Sequence, residues 1–153
     1  MILQAGAKAP LFTEWDQDGQ KISLKDFKGQ RVALYFYPRD QTPTCTVQAC
    51  NLRDNISALK KAGIQVIGVS TDDVKSHYKF AQKQQLPFPL VADPEEKIVQ
   101  KYGVWGLKKF MGREFMGTHR TTFLINEKGV IDHVIQKVKS KDHAAQILDY
   151  WEK

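Results

Sequence analysis

Two rhythms of apolar residues alternate along the chain, and the switches between them mark out its secondary structure. Phe12-Thr13-Glu14-Trp15 and Lys21-Ile22-Ser23-Leu24 each alternate, on either side of the turn-forming Asp16-Gln17-Asp18-Gly19, which predicts a short hairpin. Ser23 to Phe27 predicts one helical turn closed by Gly29. Val32-Ala33-Leu34-Tyr35-Phe36-Tyr37 is apolar throughout and rich in β-branched and aromatic residues, as in a parallel strand covered on both faces. Pro38 to Pro43 ends it. A long helix is predicted from Thr44 to Ala62, with Val47, Leu52, Ile56 and Leu59 as its stripe and Gly63 at C′.

Ile64 to Ser70 repeats the buried-strand pattern, and Thr71-Asp72-Asp73 offers N-caps for a helix through Gln84. Two prolines limit Leu86 to Ala92 to a short strand at best. Asp93 at the N-cap and Pro94 at N1 predict a helix through Tyr102. Gly103 to His119 shows no clear period and reads as an irregular loop, its FMG echo at Phe110 and Phe115 a coincidence. Thr121 to Ile125 and Val130 to Val138 read as a hairpin about Asn126-Glu127-Lys128-Gly129. Lys141 to Trp151 reads as an amphipathic helix with Ala145, Leu148 and Trp151 on one face. Strands alternating with helices, then a hairpin and a last helix, predict an α/β sandwich with a mixed sheet.

Length and composition narrow the class without changing that layout. The 153 residues suit one domain, 1–153, able to bury roughly 70% of its unfolded surface. No apolar run approaches the roughly 18 residues that cross a bilayer, which argues against a membrane partner. The opening MILQAGAKAP lacks the basic and apolar segments of a secretory signal, so the expected location is cytoplasmic. Two cysteines are too few for a disulfide scaffold and are expected to be reduced there. The net charge of +6 comes from scattered lysines and arginines rather than a dense block, a solvated surface and not a nucleic-acid footprint. His77, His119, His133 and His143 have no metal-ligand spacing and read as surface or packing residues, so no metal or cofactor is expected. Trp15, Trp105, Trp151, Met111 and Met116 read as core or loop packing.

The chemistry concentrates in Tyr35 to Cys50, YFYPRDQTPTCTVQAC. Cys45 falls in the first turn of the predicted helix, where unpaired N–H groups and the helix dipole favour a thiolate. Pro38 and Pro43 stiffen the turn before it, and Thr42 places a hydroxyl three residues ahead. Cys50 lies five residues on. In an ideal helix that spacing separates the Cα atoms by about 8.7 Å and points the side chains about 140° apart. A disulfide needs them within about 7 Å, so this pair cannot bond while the helix is intact. From its neighbours alone, Cys50 fits an ordinary core residue as well as a second reactive thiol, and Arg120 fits a surface charge at a strand start.

The run Pro38-x-x-x-Thr42-x-x-Cys45 resembles the active-site signature of the peroxiredoxins. YFYPRDQTPTCTVQACNLRD with HRTTFLI at His119 to Ile125 is similar to the Q type, also called bacterioferritin comigratory protein. PLFTEWDQDGQKISLKDFKGQ, LKKAGIQVIGVSTD and KYGVWG extend the likeness over nearly the whole chain. The resemblance implies a thioredoxin-like three-layer α/β sandwich with a mixed central sheet and an N-terminal hairpin extension. It implies Cys45 as the peroxidatic cysteine, oxidised by a hydroperoxide to a sulfenic acid, and Cys50 as the resolving cysteine that forms a disulfide with it. Thr42 then binds the peroxide, Pro38 shields the site and Arg120 stabilises the charges. Thioredoxin or a glutaredoxin-like protein would reduce the disulfide, the protein acting as a monomer without a cofactor. One position departs: Thr44 stands where the family commonly has Gly.

A disulfide oxidoreductase on the same fold is the nearest competitor, but it would carry C-x-x-C rather than C-x4-C. A redox sensor or binding protein that uses the same thiols as a switch is the alternative from another class.

Overall fold

The computed structural model describes residues 1–152. The central strand is the apolar run, β3 (Arg31–Phe36), and both its faces are covered as its composition requires. Val32, Leu34 and Phe36 point into one core, and Ala33 and Tyr35, with Tyr37 just beyond, into another. β4 (Ile64–Ser70) and β5 (Leu90–Ala92) join it in parallel, while β8 (Thr121–Ile125) and β9 (Ile131–Ile135) complete the other side antiparallel. The strand order is β5-β4-β3-β8-β9. Helices α1 (Pro43–Asp54), α2 (Ile56–Lys61), α3 (Val74–Gln84) and α5 (His143–Trp151) supply the core of Ala33 and Tyr35. The opposite core is closed by α4 (Lys97–Lys101) and by the N-terminal hairpin of β1 (Thr13–Trp15) and β2 (Lys21–Ser23), which leads into a 3-10 turn at Leu24–Phe27. This is the mixed-sheet, three-layer, thioredoxin-like arrangement expected from the pattern and the resemblance.

Gly68 in β4 is required by close approach. A Cβ there would meet Leu90 Cδ2 and Tyr35 Cζ at 2.9 Å, so its missing side chain is what lets Tyr35 lie across the sheet. Tyr35 in turn stacks on Tyr37 at 5.3 Å and edges Phe88 at 6.0 Å.

Three expectations need correction. The predicted helix over Thr44 to Ala62 is two helices, broken at Asn55 (φ −111°, ψ 15°). The Asn55 Nδ2 donates to the Asn51 carbonyl, the acceptor its own N–H would use in a helix, and that N–H turns instead to Leu52. The same expectation put Val47 in the apolar stripe, but it is exposed, and the buried face of α1 runs Cys45, Gln48, Ala49, Leu52. The helix expected from Asp93 begins later, at Lys97, although Asp93 still caps it: its carboxylate accepts from the N–H groups of Lys97, Ile98 and Val99.

The third correction is the largest. Residues 103–119 are not an irregular loop but mostly a hairpin of β6 (Trp105–Phe110) and β7 (Arg113–Thr118). Its two-residue turn, Met111-Gly112, has φ of 51° and 77°, the doubly left-handed geometry of a primed turn. The FMG echo thus spans the turn once and the return strand once, and is no repeat. Met111 and Met116 are exposed on this hairpin rather than packed.

Candidate active site

The site is assembled where β3 hands over to α1. The backbone after Phe36 passes Pro38 and Asp40 and takes a left-handed step at Gln41 (φ 59°) before Thr42, the N-cap of α1. Pro43 occupies N1, where its missing N–H costs nothing, and Cys45 falls at N3, in the first turn as expected. The Thr46 N–H makes the first intrahelical bond, to the Thr42 carbonyl at 2.9 Å. The N–H groups of Thr44 and Cys45 precede it and have no partner within the helix.

Cys45 is a free thiol with 2% exposure, set among the apolar residues below the sheet. A guanidinium Nη2–H of Arg120 donates to its sulfur at 3.3 Å. Arg120 sits in the two-residue break between β7 and β8. The break is fixed by the His119 N–H on the Val104 carbonyl at 2.7 Å and by the Thr121 hydroxyl on the His119 carbonyl at 2.8 Å. A cation in this position favours negative charge on the sulfur and faces any oxygen that meets it.

The other expected residues are placed less uniformly. Thr42 is half-buried and its hydroxyl donates to the Arg39 carbonyl at 2.9 Å, which leaves its lone pairs free to accept from a small hydroxylic ligand. Pro38 is half-buried in the strand-to-helix turn. Cys50 is a free, half-buried thiol on the same helix, and its Sγ–H points to Gln84 Oε1 of α3 at 3.3 Å. Cys45 and Arg120 are therefore brought together, whereas the two thiols face different partners across an unbroken stretch of helix.

Sequence reasoning missed two contributors. Gln48, fully buried one turn after Cys45, accepts from Arg120 Nη1–H through its Oε1 and so fixes the guanidinium plane, while its Nε2 has no partner among the described residues. The i, i+3 spacing from Cys45 was the available signal. Lys108 of β6 donates to the Thr118 carbonyl at 3.0 Å. Burial and then the nearby Arg120 charge push its pKa below the usual lysine value, and Cys45 acts the other way. No sequence signal could place it while its hairpin read as a loop.

The histidines divide. His119 and His133 are exposed, but His77 and His143 are fully buried. Beneath Cys45, burial first and then the charges of Cys45 and Asp40 raise the Tyr35 pKa well above the ordinary value, keeping the phenol neutral.

The chain is similar to known proteins over nearly its whole length. Residues 5–134 match the AhpC/TSA family. The chain is 48% identical over 148 residues to peroxiredoxin Bcp of Escherichia coli, covering 97% of this chain and 95% of that protein. Peroxiredoxin Q of Xanthomonas campestris superposes with a TM-score of 0.88 at 32% identity, over 99% of this chain and 96% of the other. A structure of the bacterioferritin comigratory protein from the same organism, described for its alkyl peroxide reduction activity with trapped intermediate and ligand complexes, gives a TM-score of 0.87 at 31% identity over the same shares.

Proposed function

The chain belongs to the AhpC/TSA family as a peroxiredoxin of the Bcp or Q type, hence a thiol peroxidase, and on that premise we propose how its residues divide the work. The Cys45 thiolate attacks the terminal oxygen of a hydroperoxide. The O–O bond breaks, Cys45 is oxidised to the sulfenic acid, and the released alkoxide or hydroxide takes up a proton. Arg120, held by Gln48, stabilises first the thiolate and then the negative charge passing to oxygen. Thr42 accepts from the peroxide hydroxyl and Pro38 keeps water from the site. The observation that carries this reading is the Arg120 Nη2–H on the sulfur of a cysteine at N3 of a helix.

The Cys50 thiol then attacks the sulfenic sulfur, releasing water and leaving a Cys45–Cys50 disulfide. The first turns of α1 must unwind for this step, because an intact helix holds the Cα atoms about 8.7 Å apart. A dithiol protein, thioredoxin or a glutaredoxin-like reductant, restores both thiols by exchange. Organic hydroperoxides join hydrogen peroxide as substrates, supported by the alkyl peroxide reduction described for the Xanthomonas relative. The protein acts as a monomer in the cytoplasm. The net charge of +6 opposes self-association and the free thiols suit a reducing compartment. No helix among the described residues is long and apolar enough to cross a membrane.

Peroxide turnover with thioredoxin and its reductase tests the assignment. Cys45→Ser should be inactive. Cys50→Ser should consume about one peroxide per chain, accumulate a trappable sulfenic acid and lose most thioredoxin-supported turnover. Full activity in Cys45→Ser would overturn the reading.

A further inference from the structure

Two residues upstream of Thr42, Asp40 is almost fully buried at the centre of a polar network that the cysteine chemistry does not use. Tyr37 Oη donates to its Oδ1 at 2.6 Å and Ser76 Oγ to its Oδ2 at 2.8 Å. His77 Nδ1 meets the same Oδ2 at 2.6 Å. The Asp40 backbone N–H donates to Asp72 Oδ2 at 2.8 Å, an oxygen that also takes the Ser70 hydroxyl at 2.7 Å. On the far side, His77 Nε2 lies 2.9 Å from the Val91 carbonyl. That carbonyl can only accept, so Nε2 carries a hydrogen, and the Nδ1–Oδ2 contact shares a second proton between ring and carboxyl. The network ties the β3–α1 turn to the end of β4, to α3 and to β5.

The ligand atoms of Asp40, Asp72 and His77 lie within 4.8 Å of one another. They are already engaged with each other and with Tyr37, Ser70 and Ser76, so this arrangement is a knot of hydrogen bonds and not an ion cage. Its effect is mechanical. Gln41, the single residue between Asp40 and the N-cap of α1, holds a left-handed φ of 59° that a non-glycine side chain seldom adopts. It keeps that conformation between two fixed points: Asp40 in the knot and Thr42 at the helix start.

We propose that Asp40 and His77 are positioning residues that set the start of α1 for attack on the peroxide, and that they remain clamped while the turns beyond them unwind for disulfide formation. This rests on the peroxidase cycle proposed above. It assigns the two chemical steps to different structural demands. Oxidation of Cys45 needs the clamp, because Thr42 and the sulfur must face the substrate together. Disulfide formation needs the helix turns released and does not need the clamp.

Single-turnover kinetics on the full chain test this, with Cys45 oxidation and disulfide formation followed separately by rapid mixing and thiol alkylation. Asp40→Ala should slow Cys45 oxidation by about 10- to 100-fold, the range for a displacement of about 1 Å at a reacting centre, and leave disulfide formation as fast or faster. Asp40→Asn can return an Nδ2–H to His77 Nδ1 and should recover to within about threefold of wild type. Ser76→Ala removes one donor and serves if Asp40→Ala does not fold; it should show the same one-sided slowing at about threefold. Equal slowing of both steps, or an unchanged oxidation rate in a folded Asp40→Ala or Ser76→Ala, overturns the proposal. If wild-type Cys45 is not oxidised by hydroperoxide at all, the peroxidase reading fails instead.

Discussion

The first and third turns of α1 carry the same functional group in opposite circumstances. At the first turn, Cys45 is nearly inaccessible, its sulfur takes a guanidinium hydrogen, and the preceding turn is tied into a buried network through Asp40. At the third, Cys50 is half-buried and its Sγ–H has one weak contact with Gln84. Seven and a half ångströms of ideal rise, about the length of five residues, separate a preorganised atom from a loosely held one. The contrast separates a sulfur placed to react in the intact helix from one that reacts only after the first turns unwind. Preorganisation at Cys45 lowers the barrier for attack, and the single weak contact of the Cys50 thiol leaves it free to meet the sulfenic sulfur once the first turns unwind.

Removing the cation tests the preorganised sulfur most severely. Arg120→Ala deletes the donor to Cys45 and orphans the Gln48 carbonyl, and peroxide-dependent oxidation of Cys45 in single-turnover assays should fall by about 10²- to 10³-fold. A loss of less than threefold would mean that the two turns do not differ in preorganisation.

The next effect acts on the support behind the Cys50 end of the helix. Asn51 of α1 donates to the Lys141 carbonyl and accepts from the Ala144 N–H, which docks the helix on the start of α5 beside His143. His143 bonds Gln146 Oε1 through Nδ1 at 2.8 Å, so that nitrogen carries the hydrogen, and its Nε2 accepts the Thr122 hydroxyl at 2.7 Å. Burial foremost, and the Arg120 charge as a smaller cause, lower its pKa to about 4, while the Gln146 bond opposes the change. The folded pKa lies below the unfolded value, so the unfolded chain binds the extra proton first. The contribution to stability is complete above about pH 6.5 and is lost as pH falls toward 4, amounting to roughly 3 kcal/mol. Urea unfolding at pH 7.5 and 4.5 measures it, and His143→Gln should remove that part of the acid slope. An unchanged slope in the variant would detach His143 from the comparison.

The smallest effect lies within the first turn, just ahead of Cys45. Thr44 is exposed at N2, and its β-branched side chain restricts the backbone that must uncoil. Thr44→Gly should speed disulfide formation by about two- to fivefold through the lower helix propensity of glycine, with little change in Cys45 oxidation. Equal rates in both proteins would show that unwinding does not begin at this residue.

What could be read in advance follows the range of the interactions responsible. β3, the start of α1 and the position of Cys45 were legible because each is written locally, in an apolar run, a proline-bearing cap and a helical spacing. The β6–β7 hairpin was not. Its turn is Met111-Gly112 rather than the usual Asn-Gly, and Lys108 and Lys109 interrupt the alternation, so no short-range sign marks it. Gln48 escaped notice because a glutamine on a buried helix face makes sense only once Arg120 arrives from 72 residues away. The same holds for Asp40 and His77, 37 residues apart, since neither signals the other until α3 packs beside the β3–α1 turn. Cys50 was legible as a thiol but not in its surroundings.

The difference in burial between the two sulfurs also makes the molecule its own stopwatch. A thiol reagent too bulky to enter beside Arg120 can modify Cys50 from the resting fold but must wait for Cys45 to be uncovered. When reclosure outruns labelling, the ratio of the two modification rates reports the population of the uncoiled helix, with no peroxide, reductant or substitution in the tube.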